Sequence, residues 1–489
     1  MRARSISMTM FMGVVAAPLA GCGEEPGLQA SFDYEMPARF VVPALRAPED
    51  QSEYEVYVEG PLQPDMWRVR LNACGSTGSP ARYIWRIDGE EVAVETRCNG
   101  FEYEFPAEGE YSVSLVVEGG SGEQMAETQV IEVRDLLIFG LGDSYGSGEG
   151  SPDVDAREEG GPRWQNRECH RSSRSGQVRA AQMIEEADPH TSVTFVHLAC
   201  SGGRIYRALL EQYDGIEPDG TPAEPQIDRV AKLADDHEID ALFVSIGGND
   251  INFSTVVKAC VLGTDCHLGS PAIDSLLEST ASWACDFLGS YEDDCRSYLD
   301  PDAIDLDLLD ARRIFEIGSK DEYVDGVDVH RDGLDDLPSN YDALAAAIVG
   351  TLGMDPARVY LTEIPDVTRD EFGELCAWPT ELPGYQETLR IAAQQVPGVT
   401  EAEMEWASTY VLTELGAAMR ASANKHRWQF VDSVNARFAG HGYCSDVPWL
   451  IRLQNTFSFQ GDANGAIHPN PAGYGAYADA IFEAFLAAQ

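Results

Sequence analysis

Positive charge is scarce in this sequence. Its 489 residues hold 34 Lys and Arg against 82 Asp and Glu, which gives a formal net charge of -48. Such a field repels phosphate backbones and anionic lipid headgroups, so it argues against nucleic-acid binding. Because the acidic residues are spread along the chain and form no acidic tail, they indicate a solvated surface that resists aggregation.

Several other features are missing. The sequence carries no paired C-x2-C zinc motifs, and no internal repeat or low-complexity tract interrupts its second half. The apolar stretch from Ile6 to Leu19 is too short to cross a bilayer comfortably as a helix. The apolar share of 44% and the charged share of 24% match a globular protein and exclude long disorder, collagen and a polytopic membrane protein. At this length we expect two folded units plus processing segments.

The N-terminus is typical of an export signal. Arg2 and Arg4 precede the short apolar stretch, whose length matches the core of a signal peptide. We therefore expect residues 1–21 to be removed and the protein to be exported to a periplasmic or surface-exposed location.

The end of that segment, Leu19-Ala20-Gly21-Cys22, resembles a bacterial lipobox. The resemblance implies that Cys22 becomes the acylated first residue and that residues 22–30 form a linker. Two or three acyl chains anchor a protein firmly to the cell envelope. Gly23 in place of an aspartate resembles lipoproteins sent to the outer membrane of a Gram-negative host. An ordinary secretory signal, cleaved after small residues, remains the alternative.

Ten cysteines remain beside Cys22, an even number that suits five disulfides in an oxidising compartment. We expect three local pairs: Cys74 with Cys98, Cys169 with Cys200, and Cys376 with Cys444. The pairing within the remaining group stays open: Cys260, Cys266, Cys285 and Cys295.

Residues 31–134 show short alternating runs broken by Gly, Pro and Asp, a pattern that predicts an all-β sandwich. The predicted strands are Tyr54 to Val58, Trp67 to Leu71, Tyr83 to Ile87, Phe101 to Phe105, Tyr111 to Val117 and Thr128 to Val133. The stretches from Tyr83 to Gly89 and from Glu108 to Leu115 are similar to the immunoglobulin-like module of polycystic-kidney-disease type (PKD). The resemblance implies a spacer or a weak carbohydrate or protein binder, and the spacer is favoured.

After Arg134 continuous apolar runs alternate with helical stretches, which predicts an α/β domain over residues 135–489 with a doubly wound parallel sheet covered on both faces. The runs are Leu136 to Leu141, Val193 to Ala199, Ala241 to Ile246, Val359 to Ile364 and Phe430 to Val431. A helix is predicted from Thr400 to Arg427, opened by the capping pair Thr400 and Glu403. A last helix begins with Asn470 as N-cap and Pro471 in its first position.

Residue types suited to acyl transfer follow these runs. The four blocks are Gly142-Asp143-Ser144-Tyr145-Gly146, Cys200-Ser201-Gly202-Gly203, Gly247-Gly248-Asn249-Asp250 and His468-Pro469-Asn470. Sites in such sheets lie beyond the carboxyl ends of the strands, and a serine between glycines at a strand-to-helix turn exposes its hydroxyl. A nucleophilic serine, an imidazole base and backbone and amide donors for an oxyanion are the parts that acyl transfer needs.

The ordered blocks GDS, SG, GGND and HPN resemble the GDSL or SGNH hydrolase superfamily over residues 135–489. The resemblance implies a flavodoxin-like three-layer fold and a serine ester hydrolase without metal or organic cofactor. It assigns Ser144 as nucleophile and His468 as general base, with Ser144, Gly202 and Asn249 as oxyanion donors. Gly142 to Gly150 and the Cys169 and Cys200 pair look most like secreted, disulfide-bonded esterases and lipases of actinomycete type. The α/β-hydrolase elbow also matches the GDS block, but Ser144 follows the first strand of its sheet, which disfavours it.

One departure concerns the partner of the histidine. The family's D-x-x-H block would place an aspartate at position 465, where the sequence has Gly465, and the nearest carboxylate is Asp462. Either Asp462 orients His468, or a backbone carbonyl near Gly465 accepts the imidazole proton, and the carbonyl is favoured.

The segment 251–345 exceeds a normal connection and carries four cysteines. It is either a disulfide-braced cap that shapes the acyl pocket or a surface insertion remote from the site. The leading interpretation of the chain is a monomeric, exported, lipid-anchored esterase or lipase. Acyl lipids, short-chain esters and acetylated glycans all suit its machinery. The alternatives are a polysaccharide deacetylase and a surface glycan-binding lipoprotein with vestigial activity, and the intact Ser, Gly, Asn and His argue against the latter.

Overall fold

The computed structural model describes residues 27–37, 67–158, 160–213, 222–253, 326–376, 401–462 and 464–489. These residues fall into two compact units, the first comprising residues up to Glu35 together with Trp67–Val133 and the second comprising the described residues from Met36 on before Trp67 together with Arg134–Gln489. Several expectations lie outside the described residues: the signal segment 1–21, the lipidation site Cys22 with residues 22–26 of the linker, the strand from Tyr54 to Val58, residues 254–325 of the long segment with its four cysteines, and the capping residue Thr400.

The first unit is the predicted all-β domain. One antiparallel sheet has the order β1–β2–β5, with β1 Asp33–Glu35, β2 Trp67–Asn72 and β5 Phe101–Phe105. The other has the order β4–β3–β6–β7, with β3 Arg82–Ile87, β4 Glu90–Glu95, β6 Gly109–Glu118 and β7 Gln124–Val133. Alternation along β2 turns every second side chain into the core, as a strand with one solvated face requires.

The core of this unit is aromatic. Trp85 is 1% exposed, meets the ring of Phe32 edge-on at 5.3 Å and stacks on Phe101 at 5.8 Å. Because Trp85 lies in the second sheet and Phe101 in the first, their contact joins the two sheets. A disulfide between Cys74 and Cys98, one of the expected pairs, is also present.

The second unit contains a five-stranded sheet in the order β12–β11–β10–β8–β9, with every neighbouring pair parallel. Its strands are β8 Asp135–Gly142, β9 Ser192–His197, β10 Ala241–Ser245, β11 Val359–Thr362 and β12 Gln429–Val431. Strands β9, β10 and β11 are buried along their whole length, as expected where helices cover both faces. The predicted doubly wound fold is confirmed, and its order is the flavodoxin-like one, with the switch point between β8 and β10.

The described helices are α1 Ser144–Ser147, α2 Gly176–Ala187, α3 Gln226–Ala234, α4 Gly326–Leu352, α5 Glu401–Trp406, α6 Thr413–His426, α7 Val434–Phe438, α8 Leu453–Phe459 and α9 Pro471–Ala488, with a 3-10 turn at Pro356–Arg358. A π-helical segment, Ala407–Leu412, joins α5 to α6, so the predicted helix to Arg427 forms with a change of pitch. Asn470 caps α9 as predicted, its side chain accepting from the N–H groups of Ala472 and Gly473.

The segment 251–345 needs a correction at its C-terminal end. Residues 326–345 belong to helix α4, whose side chains Leu337, Tyr341 and Leu344 are fully buried in the core. The Tyr341 hydroxyl also donates to the carbonyl of Ile246 at 2.7 Å, beyond the end of β10. This stretch is therefore a structural helix of the α/β unit rather than part of a cap. Within the described ranges, no helix is long and apolar enough to cross a membrane.

Gly142 is the last residue of strand β8, at a position where the neighbouring strand leaves no room for a side chain. Its φ is +132°, and a Cβ at this position would lie 1.9 Å from the carbonyl oxygen of Ser245 on β10. The side-chain amide of Gln226 both donates to the Gly142 carbonyl and accepts from the Gly142 N–H, each at 2.9 Å. The backbone that leads into Ser144 is thereby fixed against the neighbouring strand.

The change Gly142→Ala should therefore destabilise the α/β unit by about 3 kcal/mol or more, because backbone strain and a main-chain clash add together. Calorimetric unfolding of the purified protein measures this loss. Gly416→Ala is the matched control, since no atom lies within 4 Å of its added Cβ. In the interior of a helix that change should stabilise by about 0.5–1 kcal/mol. Equal unfolding temperatures for the two variants would contradict the close-approach argument.

Candidate active site

Ser144 is the first residue of α1, directly after β8. The carboxyl group of Asp143 caps this short helix by accepting from the Tyr145 N–H at 3.0 Å. A first helical residue has no intrahelical acceptor for its own N–H, so the Ser144 amide points out of the turn. The side chain is 7% exposed, and its hydroxyl meets the imidazole of His468.

His468 bridges two oxygen atoms. Its Nε2 lies 2.8 Å from Ser144 Oγ, and its Nδ1 lies 3.1 Å from the carbonyl oxygen of Ala466. Because a carbonyl only accepts, Nδ1 carries the proton and Nε2 is left to accept from the serine hydroxyl. Burial lowers the pKa of His468, opposed by the carboxylate of Glu149 and the carbonyl of Ala466. A neutral imidazole in this tautomer can take the Ser144 proton.

Ile467 holds the histidine segment in a strained conformation. Its φ is +67°, a left-handed value that a β-branched residue rarely adopts. The Tyr145 hydroxyl donates to the Ile467 carbonyl at 2.9 Å, and the Ile467 N–H donates to the carbonyl of Ile451 at 2.8 Å. Contacts from the nucleophile's own helix therefore help to fix the backbone beside His468.

The structure does not pair Asp462 with the histidine. Its Oδ1 accepts from the Gln460 side chain and from the Asn464 N–H, each at 2.9 Å, and its Oδ2 lies 3.9 Å from His170 Nε2. The expectation that Asp462 orients His468 is corrected, because the Nδ1 position is taken by Ala466. The favoured alternative, a backbone carbonyl near Gly465, is the arrangement found.

Gly202 and Asn249 lie at the ends of two further strands. In the described part of the chain the Gly202 N–H has no protein partner, and its φ is +74°. A Cβ there would lie 2.3 Å from the Tyr213 hydroxyl, and the left-handed backbone itself favours glycine. Asn249 Nδ2 donates one hydrogen to the Gly203 carbonyl at 3.1 Å and keeps a second for a ligand. These two donors and the Ser144 N–H suit an oxyanion.

Hydrogen bonds between backbones tie the blocks to one another. Cys200 N–H donates to the Gly142 carbonyl, and Asp143 N–H donates to the Ser245 carbonyl, each at 2.9 Å. The Cys169–Cys200 and Cys376–Cys444 disulfides, both among the expected pairs, are present as well. The four sequence blocks thus meet at the switch point of the sheet.

Glu149 is the residue that sequence reasoning missed. It is 2% exposed, its Oε1 lies 2.9 Å from His170 Nδ1, and its Oε2 lies 3.6 Å from His468 Nε2. Burial alone would raise the pKa of Glu149, but the two imidazoles and hydrogen bonds from His170 and Ser201 lower it to about 2. The available signal was an acidic residue between Gly148 and Gly150, within the stretch from Gly142 to Gly150 that resembles secreted esterases.

Asp143 and Asp250 show the opposite behaviour. Burial raises the pKa of Asp143 to about 8 and that of Asp250 to about 6, and the proximity of Asp250 adds to the shift of Asp143. Asp250 Oδ1 accepts from the Ile205 N–H at 3.0 Å, as Asp143 does from Tyr145. Both side chains brace turns around the site. Across the described residues, no group of three or more His, Cys, Asp or Glu is arranged to hold a metal ion.

A family model described as the GDSL-like lipase/acylhydrolase family matches residues 141–476, more than half of the chain. The chain belongs to this family. A PKD domain model matches residues 59–131, which overlaps the all-β unit. The resemblances to the GDSL or SGNH superfamily and to the PKD module are confirmed, and the family match supports an esterase or acylhydrolase. Among curated proteins no relative matches the chain.

Two solved structures are similar to this GDSL-family chain. An active-site mutant of a family two carbohydrate esterase from Clostridium thermocellum is 10% identical with a TM-score of 0.26, covering 93% of this chain and 97% of that chain. A carbohydrate acetylesterase from Xanthomonas citri is 9% identical with a TM-score of 0.26, covering 85% of this chain and 70% of that chain.

The geometry predicts how Ser144 reacts with a fluorophosphonate, a reagent that labels activated serines. Labelling should fall as the pH decreases, with a midpoint below the ordinary histidine value of 6.5, because only neutral His468 accepts the proton and its pKa is lowered. Mass spectrometry of the labelled peptide across pH measures the midpoint. His468→Ala should abolish labelling, and undiminished labelling in that variant would contradict the assignment.

Asp462→Asn tests the corrected partner of the histidine in the same assay. Loss of a carboxylate that contacts the histidine directly costs about 10⁴-fold in a serine triad. Since Asp462 bonds Gln460 and Asn464 instead, labelling of Ser144 should fall by less than about tenfold.

Proposed function

We propose that the chain is an exported, lipid-anchored serine esterase or lipase with Ser144 as nucleophile and His468 as general base. The observation that carries the assignment of nucleophile and base is the 2.8 Å contact between His468 Nε2 and Ser144 Oγ. It lies at the carboxyl end of β8, next to the switch point where α/β sheets bind ligands.

The reaction has two halves. His468 Nε2 takes the Ser144 proton as Oγ attacks the ester carbonyl, and the resulting oxyanion accepts from the Ser144 and Gly202 N–H groups and from Asn249. The imidazolium then gives its proton to the leaving alcohol, which leaves an acyl group on Ser144. In the second half His468 removes a proton from water, the hydroxide attacks the acyl carbonyl, and the acid departs as Ser144 regains its proton.

The substrate is an ester of a lipid, a short-chain alcohol or an acetylated glycan. A polysaccharide deacetylase uses the same steps on an acetyl group, and it differs from a lipase in the length of the acyl chain and in the alcohol part of the ester. In the surface glycan-binding alternative, the PKD domain would bind the glycan and the hydrolase domain would retain only vestigial activity. The closed Ser144–His468 contact favours the enzyme, since binding alone does not require it.

The test is hydrolysis of p-nitrophenyl esters from acetyl to palmitoyl, and of acetylated xylan, by protein beginning at Gly23. Ser144→Ala and His468→Ala should abolish turnover. Asn249→Ala should lower kcat by about 100- to 1000-fold, the usual cost of one oxyanion donor. An optimum at acetyl or at long chains separates the deacetylase from the lipase.

Thermal unfolding of each variant is the control, because all three changes leave the core intact. Folded, oxidised wild-type protein that hydrolyses no ester would overturn the enzyme proposal in favour of binding. Activity that survives in Ser144→Ala would place the nucleophile elsewhere.

The proposed anchor is tested on the full chain in a bacterial host. Wild type should incorporate radiolabelled palmitate and sediment with membranes, whereas Cys22→Ser should be unlabelled and soluble, since acylation needs the cysteine thiol. Gly23→Ser is a matched control that keeps the thiol. Equal labelling of Cys22→Ser and wild type would contradict lipidation at this residue.

A further inference from the structure

We propose that Glu149 is a positioning residue that holds a fixed negative charge against the imidazole of His468. The inference rests on the proposed function, since it concerns the same serine and histidine. The D-x-x-H block of this chain lacks its aspartate, since Gly465 stands at that position. We assign the carboxylate near the histidine to Glu149, which lies in the segment after the nucleophile Ser144.

The backbone places Glu149 close to Ser144. Its N–H donates to the Ser144 carbonyl at 3.2 Å, and its own carbonyl accepts from the Tyr474 hydroxyl at 2.8 Å. The same hydroxyl reaches the Ser144 carbonyl at 3.3 Å, so one tyrosine of α9 spans both residues. The Glu149 side chain therefore has little freedom to leave the site.

Donors surround the Glu149 carboxylate. Gln460 Nε2 donates to Oε1 at 3.0 Å, His170 Nδ1 lies 2.9 Å from the same oxygen, and the Ser201 hydroxyl donates to Oε2. A buried carboxylate is costly unless such partners satisfy it. Gln460 is itself held, because its Oε1 accepts from the Gly150 N–H at 2.8 Å. The group is therefore ionised at neutral pH.

The proton transfer creates a positive charge that needs compensation. When Nε2 takes the Ser144 proton, His468 becomes an imidazolium, and its Nδ1 faces only the neutral carbonyl of Ala466. Glu149 Oε2 lies 3.6 Å from Nε2, too far for a hydrogen bond and close enough for strong charge attraction. Glu149 neither gains nor loses a proton. It favours the charged imidazole over the neutral one.

Other titratable groups also face His468. The Tyr145 ring lies 5.2 Å away, and burial raises the pKa values of Tyr145 and Tyr474 far from neutrality, so both stay uncharged. His170 opposes protonation of His468 by like charge, and Asp462 lies 3.9 Å from His170 on its other side. Of these groups, Glu149 is the carboxylate with a close approach to Nε2.

The experiment is the pH profile of kcat/KM for Glu149→Gln on the best p-nitrophenyl ester. An opposite charge at this range moves a pKa by about 1–3 units, so the acidic midpoint should move down by about one unit or more. Activity at the alkaline plateau should fall by about tenfold or more, because the imidazolium loses its stabilisation. Glu149→Asp keeps the charge but moves it away from Nε2, so its midpoint and its plateau should lie between those of Glu149→Gln and wild type.

Glu363→Gln is the control for replacing a buried glutamate by its amide. Glu363 accepts from the Asn435 N–H at 3.0 Å and lies near Arg420, outside the Ser144–His468 contacts. Its midpoint and plateau should equal those of wild type. A wild-type midpoint in folded Glu149→Gln would overturn the proposal, even if its unfolding temperature falls.

If Glu149→Gln does not fold, Glu149→Asp carries the test, since its shorter side chain withdraws the charge from Nε2. The midpoint must then fall, whereas a purely structural role would change the unfolding temperature alone. Failure of the proposed function is distinct, because wild type would then hydrolyse no ester, or Ser144→Ala and His468→Ala would retain activity. If the Ser144 and His468 variants are inactive but the Glu149 variants keep the wild-type pH profile, the role proposed for Glu149 is refuted and the proposed function stands.

Discussion

The parallel register between β8 and β10, which brings Gly142 against the Ser245 carbonyl, is the constraint on which the site depends. The two strand ends lie so close together that a Cβ on Gly142 would clash with the Ser245 carbonyl, so a glycine is required there. The residues that follow, Ser144 and Asn249, therefore begin from adjacent points on either side of the switch in strand order. His468 contacts Ser144 although it lies 324 residues further along the chain, and it stands just before the Asn470 cap of α9.

Buried acids with opposite charge states surround this point. Burial dominates at Asp143 and keeps it protonated up to a pKa of about 8, so its contribution to stability falls as the pH rises from its unfolded value of 3.8. At Glu149 the imidazoles and donors outweigh burial. Its contribution is present above its unfolded value of 4.5 and is lost as the pH falls toward 2. The attraction of the two neighbouring imidazoles, together with the donors, sets Glu149 apart from Asp143, whose pKa is raised further by the carboxyl group of Asp250.

Much of this arrangement was readable from the sequence. Continuous apolar runs gave all five strands of the parallel sheet, and Ser144, Gly202, Asn249 and His468 stood directly after runs or before the last helix. Strand β4 was missed because its residues are largely exposed and lack a clear alternation, although Asp88 and Gly89 mark the preceding hairpin turn with positive φ. Glu149 was missed because its partners come from distant segments, and local sequence carries no record of such contacts.

The Cys169–Cys200 disulfide has a consequence beyond bracing the chain. The residue after each cysteine, His170 and Ser201, supplies a hydrogen bond to the carboxylate of Glu149. One covalent bond thus joins two of the groups that keep this carboxylate ionised. In a reducing compartment that link is lost, and the charge beside the histidine relies on noncovalent contacts alone. The electrostatics of the site are in this way coupled to the redox state of the surroundings in which the chain matures.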